Sequence, residues 1–430
     1  MRFNGLHHVF WRPLRTAGLG LAGLALALLL AQAQAQASEP RLEAPGAYAF
    51  AASEAASTAD AAASPALPGS PAWAPASVPA GEWVVAASRP ARAQPSKPAW
   101  LVLPAAAGRL TSAQIGLVIN EDDPYSVEVG AHYIRQRRLR EDQVLRLHLP
   151  LKTVLTPEEF APLRRQIELF FGPNVQALAL AWRQPWAVNC NSITSAVSLG
   201  YQALQCQRLC GPGQMSPYFN EPTAMPFSML ALRPSMLLAA SDVVQAKALI
   251  DRGVAADGAM TRNPAPKVAA VFARTEDAAR NVRAPAFPPA GALAQHRLEV
   301  KVEQGIRPRP AGEKLMLYQT GATRVDGLER WHFAPGAVAD HLTSFGGVLD
   351  GSTGQMPATA WIDAGATASH GTVSEPCNYT QKFPHPQLLL MRLLEGATVL
   401  EAYWKSVAWP AQSLFIGEPL AAPYAVEGLR

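Results

Sequence analysis

Residues 114–138 read QIGLVINEDDPYSVEVGAHYIRQRR, and the fold class follows from them. QIGLVIN is a short continuous apolar run, the pattern of a strand buried on both faces. EDDP then offers Asp123 as an N-cap with Pro124 at the first helical position, and YSVEVGAHYIRQRR repeats its apolar residues at a spacing near 3.6. Strand, turn and helix are thus predicted in that order. DQVLRLHLP (142–150) continues as a strand and TPEEFAPLRRQIELFF (156–171) as a helix capped by Thr156. NVQALALAW (174–182) closes the series as a third apolar strand. Such alternation implies right-handed crossovers, so the expected class is α/β, a mainly parallel sheet flanked by helices.

The same reading extends along the chain. FSMLALRP (227–234), PKVAAVFAR (266–274) and GEKLMLYQTGAT (312–323) are expected strands; SDVVQAKALIDRGVAADG (241–258) and EDAARNVRAPAF (276–287) are expected helices. Ligands of open α/β sheets gather beyond the carboxyl ends of the strands. Asp123 is therefore a candidate substrate-binding residue as well as a cap. Neither G-x-G-x-x-G nor a P-loop follows the first strand, so no nucleotide cofactor is expected.

Arg2, Arg12 and Arg15 precede the apolar run TAGLGLAGLALALLL (16–30) and the small-residue repeat AQAQAQAS (31–38), which together read as a secretory signal peptide over 1–37, cleaved after Ala35 or Ala37. Read as a membrane anchor, the run is shorter than the ~20 residues a bilayer needs. No membrane span is expected after its removal. Residues 38–98 are dominated by Ala, Pro and Ser and form an expected disordered leader, which leaves 99–430 as the folded domain. The formal net charge of +4, from 37 basic and 33 acidic residues, includes the three signal-peptide arginines. The remainder is close to neutral and has no basic run interleaved with aromatics, so nucleic acid is not an expected partner.

Four cysteines, Cys190, Cys206, Cys210 and Cys377, suit an exported chain with disulfides. One bridge is expected from Cys190 to Cys206 or Cys210, inside a loop-rich excursion over about 187–227. The alternative is four buried thiols.

The C-terminal region carries the reactive groups. GAVADHL (336–342) and TASHGTV (367–373) read as strands around the helix MPATAWIDAGA (356–366), and SEPCN (374–378) turns after the second strand. Two parallel strand ends then lie side by side, one offering His341 and the other Cys377. A catalytic thiol needs a base beside it, so these form a candidate catalytic dyad, with backbone amides near the cysteine or in SFGG (344–347) as oxyanion donors. Glu375 is a candidate for binding the basic end of a substrate. Asp340 points to the other face of its strand from His341. His370 is an alternative base, and Ser369 or Ser374 alternative nucleophiles, without a G-x-S-x-G elbow to support them. His332, His341, His370, Cys377 and His385 are near one another in sequence, but with no HExxH or paired CxxC no metal is expected. NYT at Asn378 matches a glycosylation triplet. The aromatic residues of EAYWKSVAW (401–409) are expected to pack a helix on the sheet, and Lys382 and Lys405 to be solvated charges.

VINEDDPYSVEVGAHYI (118–134), PGAVADHLTSFGG (335–347), GATASHGTVSEPCNYTQKFPHP (365–386) and LEAYWKSVAWPAQSLFIGEPL (400–420) together resemble an uncharacterised family of exported bacterial proteins. FIGEPL is similar to the turn that closes the catalytic domain of gingipain-type cysteine peptidases, with Glu418 where those have Asp. This more distant resemblance implies a caspase-like three-layer sandwich in which His341 and Cys377 occupy the His and nucleophile positions. It implies a cysteine hydrolase acting on peptide or related amide bonds, with a peptide or protein as substrate. The chain departs from the peptidase pattern at DHLTSFGG and at EPCN. The rival expectation is a non-catalytic envelope binding or scaffold protein on the same fold, in which Cys377 is buried or bridged.

Overall fold

The computed structural model describes residues 99–426, so the expected signal peptide and leader lie outside the described residues. The strands, in chain order, are β1 (Ile115–Asn120), β2 (Val144–Leu147), β3 (Val154–Leu155), β4 (Ala177–Leu180), β5 (Ala187–Val188), β6 (Asn191–Ser192) and β7 (Ser235–Leu237). They continue as β8 (Val268–Arg274), β9 (Gly291–Leu293), β10 (Leu298–Gln304), β11 (Leu315–Gly321), β12 (Phe333–Leu342), β13 (Ala368–Thr372) and β14 (Ser413–Gly417). Eleven of them form one sheet in the order β2-β1-β4-β7-β14-β13-β12-β11-β8-β10-β9, while β3, β5 and β6 pair separately.

The opening stretch folds as read. β1 is buried along its whole length, and the Asp123 carboxylate accepts the Tyr125 N–H at 3.0 Å to start a helix over Pro124–Arg137. Thr156 and Glu159 cap the next helix, Pro157–Phe170, reciprocally. FSMLALRP is not a strand: Pro226–Leu230 is a short helix, and the strand begins only at Ser235. Pro226 at the first helical position favours that outcome. EDAARNVRAPAF gives a 3-10 segment, Asn281–Ala286, with Pro285 inside it.

Every pairing in the large sheet is parallel except two, β13 with β14 and β10 with β9. The sheet is therefore two parallel halves meeting antiparallel at β13 and β14. This reversal decides which loops share an edge. The carboxyl ends of β1, β4 and β7 open on one edge of the sheet, and those of β8, β10, β11, β12 and β13 on the opposite one.

Side chains alternate across the C-terminal half and fill two cores. Val268, Ala270 and Phe272 of β8 join the larger cluster, and Ala269, Val271 and Ala273 join a second one with Tyr318, Trp331 and Trp361. Both faces are thus covered. Tyr403 and Trp404 are fully buried on the Val399–Ser406 helix, as the aromatic run predicts, and Trp404 lies 4.8 Å from the Phe415 ring of β14. Lys382 and Lys405 are buried rather than solvated. The Lys405 ammonium sits over the Tyr218 ring beside Glu401, so the helix buries a charge together with its partner. The Glu418 of FIGEPL is likewise buried, and both its oxygens accept from the Arg137 guanidinium.

Candidate functional site

β12 and β13 are parallel neighbours, so the segments leaving them lie side by side at one edge. Thr343 and Ser344 follow β12, Val373–Asn378 follow β13, and Arg280 comes from the segment after β8. These segments enclose a cleft of about 210 Å³ lined by Arg280, Thr343, Ser344, Glu375, Cys377 and Asn378, among others.

Local bonds fix its walls. Thr372 donates its hydroxyl to the carbonyls of Thr343 (3.1 Å) and Ser344 (2.8 Å). Gly371 lies so close to the SFGG turn that an added Cβ would stand 2.2 Å from the Gly346 carbonyl carbon, which only glycine avoids. The Arg280 guanidinium donates to Asp277 at 2.7 Å and to the Thr343 hydroxyl at 3.2 Å. The Gln412 amide donates to the Glu375 carbonyl at 2.8 Å and to the Ser374 hydroxyl at 2.9 Å. The Ser374 hydroxyl in turn donates to Cys190 O. Glu375 Oε1 accepts the Cys377 N–H at 2.8 Å, and Cys377 holds the left-handed conformation at φ 51°.

The sequence-predicted residues meet different fates. Cys377 borders the cleft but is joined to Cys210, and Cys190 is joined to Cys206. The Cys190–Cys206 bridge is one of the two expected pairings, and the Cys210–Cys377 bridge is the bridged state that the rival, non-catalytic expectation gave Cys377. With its sulfur in a disulfide, Cys377 has no thiolate to offer.

His341 is on β12 and fully buried. Its Nε2 is bonded to Met356 O at 3.1 Å, and its Nδ1 accepts the Trp361 indole N–H at 2.9 Å. Burial lowers its pKa to about 3, opposed by the bond to Met356. Both ring nitrogens are therefore engaged in the core behind the cleft, and the ring is neutral. Asp340 faces away from it, as expected, and accepts from Arg283 at 2.6 Å and Gln319 at 2.8 Å.

Glu375 lines the cleft, whereas Asp123 caps its helix beyond β1, at the other edge of the sheet. Asp123 and Glu375 are thus not brought into one site. The two-way sheet is the reason, because carboxyl ends gather on one side only when all strands run the same way. His370 is fully buried among Phe383, Tyr403 and Phe415 and has neither nitrogen bonded, and the Ser369 hydroxyl is equally unpartnered. Burial holds the His370 pKa well below its ordinary value. Two SFGG amides are already used: Phe345 N–H donates to Gln355 and Gly347 N–H to Thr372 O.

Sequence reasoning passed over Arg280 and Thr343, and took the buried Lys382 for a solvated charge. Lys382 Nζ donates at 2.6 Å to the carbonyl of Leu209, next to Cys210, and burial lowers its pKa to about 8. Arg280 carried no motif. Lys382 could have been suspected from the cysteines, since a pairing of Cys377 with the 206–210 segment brings the KF run against it. Among the described residues no cluster of His, Cys, Asp and Glu could hold a metal, and no helix is long and apolar enough to cross a membrane. Two disulfides are compatible with an oxidising compartment.

The chain is similar to the crystal structure of the Arg-specific cysteine proteinase gingipain R. The likeness covers 74% of this chain and 80% of that one, at 11% identity and a TM-score of 0.39. No family model and no curated protein matches the chain. With so low a TM-score, the function has to be argued from the cleft.

Proposed function

We propose that this chain is an exported binding protein whose cleft between Arg280 and Glu375 receives a short peptide segment. The observation that carries the reading is the bond between Cys210 and Cys377, which occupies the sulfur expected to be the nucleophile at the cleft. Arg280 and Glu375 put opposite charges on the same lining, and Thr343, Ser344 and Asn378 add hydrogen-bonding groups, a set that suits a peptide's amides and charged ends. The disulfides, together with the N-terminal signal read in the sequence, support export. Two measurements test the proposal. Alkylation without reduction should leave Cys377 unmodified, and Glu375→Gln or Arg280→Gln should weaken binding from a fluorescent peptide pool. Undiminished binding in both variants would sink the peptide assignment.

One observation favours a second reading, a caspase-like cysteine hydrolase that acts only when reduced. Cys377 borders an open cleft in a left-handed backbone conformation, a strained geometry for a non-glycine residue, beyond the strand next to the one carrying His341. Reduction would free the thiol. His341 could take its proton only after giving up the Trp361 bond at Nδ1. This reading predicts amide hydrolysis by the reduced chain that is lost in Cys377→Ala. A reduced chain that neither turns over amides nor labels at Cys377 with an electrophilic probe leaves the binding reading alone.

A further inference from the structure

A separate cleft lies between two successive crossovers, the segment after β10 and the one joining β11 to β12. It has a volume of about 600 Å³, and its lining includes Arg307, Arg309, Arg324 and Arg330, with Asp326 as the acid and Trp331 as an apolar wall. That size is within the range of small-molecule sites.

The four arginines are not equivalent. Arg309 is neutralised by Glu303 (2.6 Å) and Glu313 (3.3 Å), is almost fully buried, and lies 5.8 Å from the centre of the Trp331 ring. It makes a rigid floor. The other three are exposed. Arg307 donates its Nε to the Gln304 carbonyl, which leaves its terminal nitrogens unassigned. Arg324 makes no ion pair among the described residues, and Arg330 meets only the solvent-exposed Glu329 at 3.4 Å. An exposed contact of that length contributes little. Asp326 also has no ion-pair partner among the described residues, so the three guanidinium groups exceed the acid of the lining. Like charges gathered in a concave site repel one another, and a bound anion relieves that repulsion.

We infer that this cleft binds a multiply charged oxyanion, of phosphate or carboxylate type, through the guanidinium forks of Arg307, Arg324 and Arg330. Planar forks match such oxyanions two bonds at a time, which a lysine ammonium does not do.

Titration calorimetry on the full-length chain at low ionic strength tests this, with inorganic pyrophosphate and citrate as separate probes. Saturable binding of either one, weakened about ten- to hundred-fold in the double variant Arg307→Gln/Arg324→Gln, is the expected result. Pyrophosphate alone would mark a phosphoryl ligand and citrate alone a carboxylate one. Arg324→Lys should fall between the wild type and the double variant, because it keeps the charge and loses the fork. Protection of Arg324 from phenylglyoxal by the bound anion gives a readout on the unaltered chain. Silence of both anions at millimolar concentration, or binding undiminished in the folded double variant, overturns the inference.

Discussion

Glu375 accepts the backbone N–H of Cys377 at 2.8 Å, and so closes the turn in which Cys377 sits at φ 51° and reaches Cys210. A left-handed conformation costs a non-glycine residue about 1–2 kcal/mol, so the turn exists because bonds at both ends impose it. The disulfide closes a loop 167 residues long and ties the excursion to the strand that ends at Thr372. Cys210→Ser/Cys377→Ser should therefore lose about 2–5 kcal/mol of stability in urea titration. Reduction of the wild type should reproduce part of that loss. A double variant as stable as the parent would mean that the bridge constrains nothing.

Arg137 and Glu418 form a buried pair in which both carboxylate oxygens accept from the guanidinium. Arg137 also donates to Asp257 at 2.5 Å, so removing Glu418 leaves the guanidinium with that one carboxylate and strips its buried partner away. Glu418→Gln keeps one acceptor oxygen and is expected to cost about 1.5–3 kcal/mol, whereas replacing both Arg137 and Glu418 with apolar residues of similar volume should cost less. The residue that makes FIGEPL resemble a peptidase turn would then be measured as a packing element, read from urea midpoints of the single and double variants.

How much of this was legible in the sequence depended on whether a signal was local. β1, β2, β4 and the two long helices among them came from apolar runs and from caps such as Asp123 and Thr156, and each is a property of neighbouring residues. β10 was passed over because LEVKVEQ alternates apolar and charged residues near the sheet edge, a weaker pattern than the continuous run of β8. The reversal between β13 and β14 could not be read at all, because strand direction depends on pairing between segments such as His370 and Phe415 that lie far apart in sequence. That single fact separates Asp123 from Glu375. Likewise the fate of His341 was set by Trp361, whose indole reaches its Nδ1 across the core, and no spacing rule announces such a bond.

His370 offers a test of packing in the other direction. Its ring is fully buried among Phe383, Tyr403 and Phe415 with neither nitrogen bonded. An unpaired buried polar group costs about 1–3 kcal/mol. His370→Phe, which keeps a flat ring in the same place, should raise the urea midpoint by an amount corresponding to about 1 kcal/mol. A lower midpoint would show that the imidazole has a partner in solution.

Acid should unfold the chain through its buried histidines. His341 takes up a proton near its ordinary value of 6.5 when unfolded and only near about 3 when folded, because burial disfavours the imidazolium. The unfolded state therefore binds more protons between those values, and stability present above pH 6.5 is lost as the pH falls toward 3. His370 acts in the same direction. The double variant His341→Gln/His370→Phe should show a shallower fall in stability between pH 6.5 and 4 than the wild type, whatever its stability at pH 7.5. Equal slopes would remove both rings from the acid response.

Lys382 should give the opposite limb of the pH profile. Its ammonium is buried against Leu209 O and lies 5.3 Å from the centre of the Tyr379 ring, and burial brings its pKa from 10.5 down to about 8, with Glu375 partly opposing the shift. Folding expels the proton between those values. Below about pH 8 both states carry the ammonium and the native state bears the full cost of burying it, so the wild type gains stability as the pH climbs from 8 toward 10.5. Lys382→Met keeps most of the aliphatic stem and cannot titrate, so the stability of wild type relative to variant should rise over that range. Denaturant titrations at pH 7, 8, 9 and 10 measure the difference directly. A difference that stays constant across them would mean that the Lys382 ammonium is hydrated in solution.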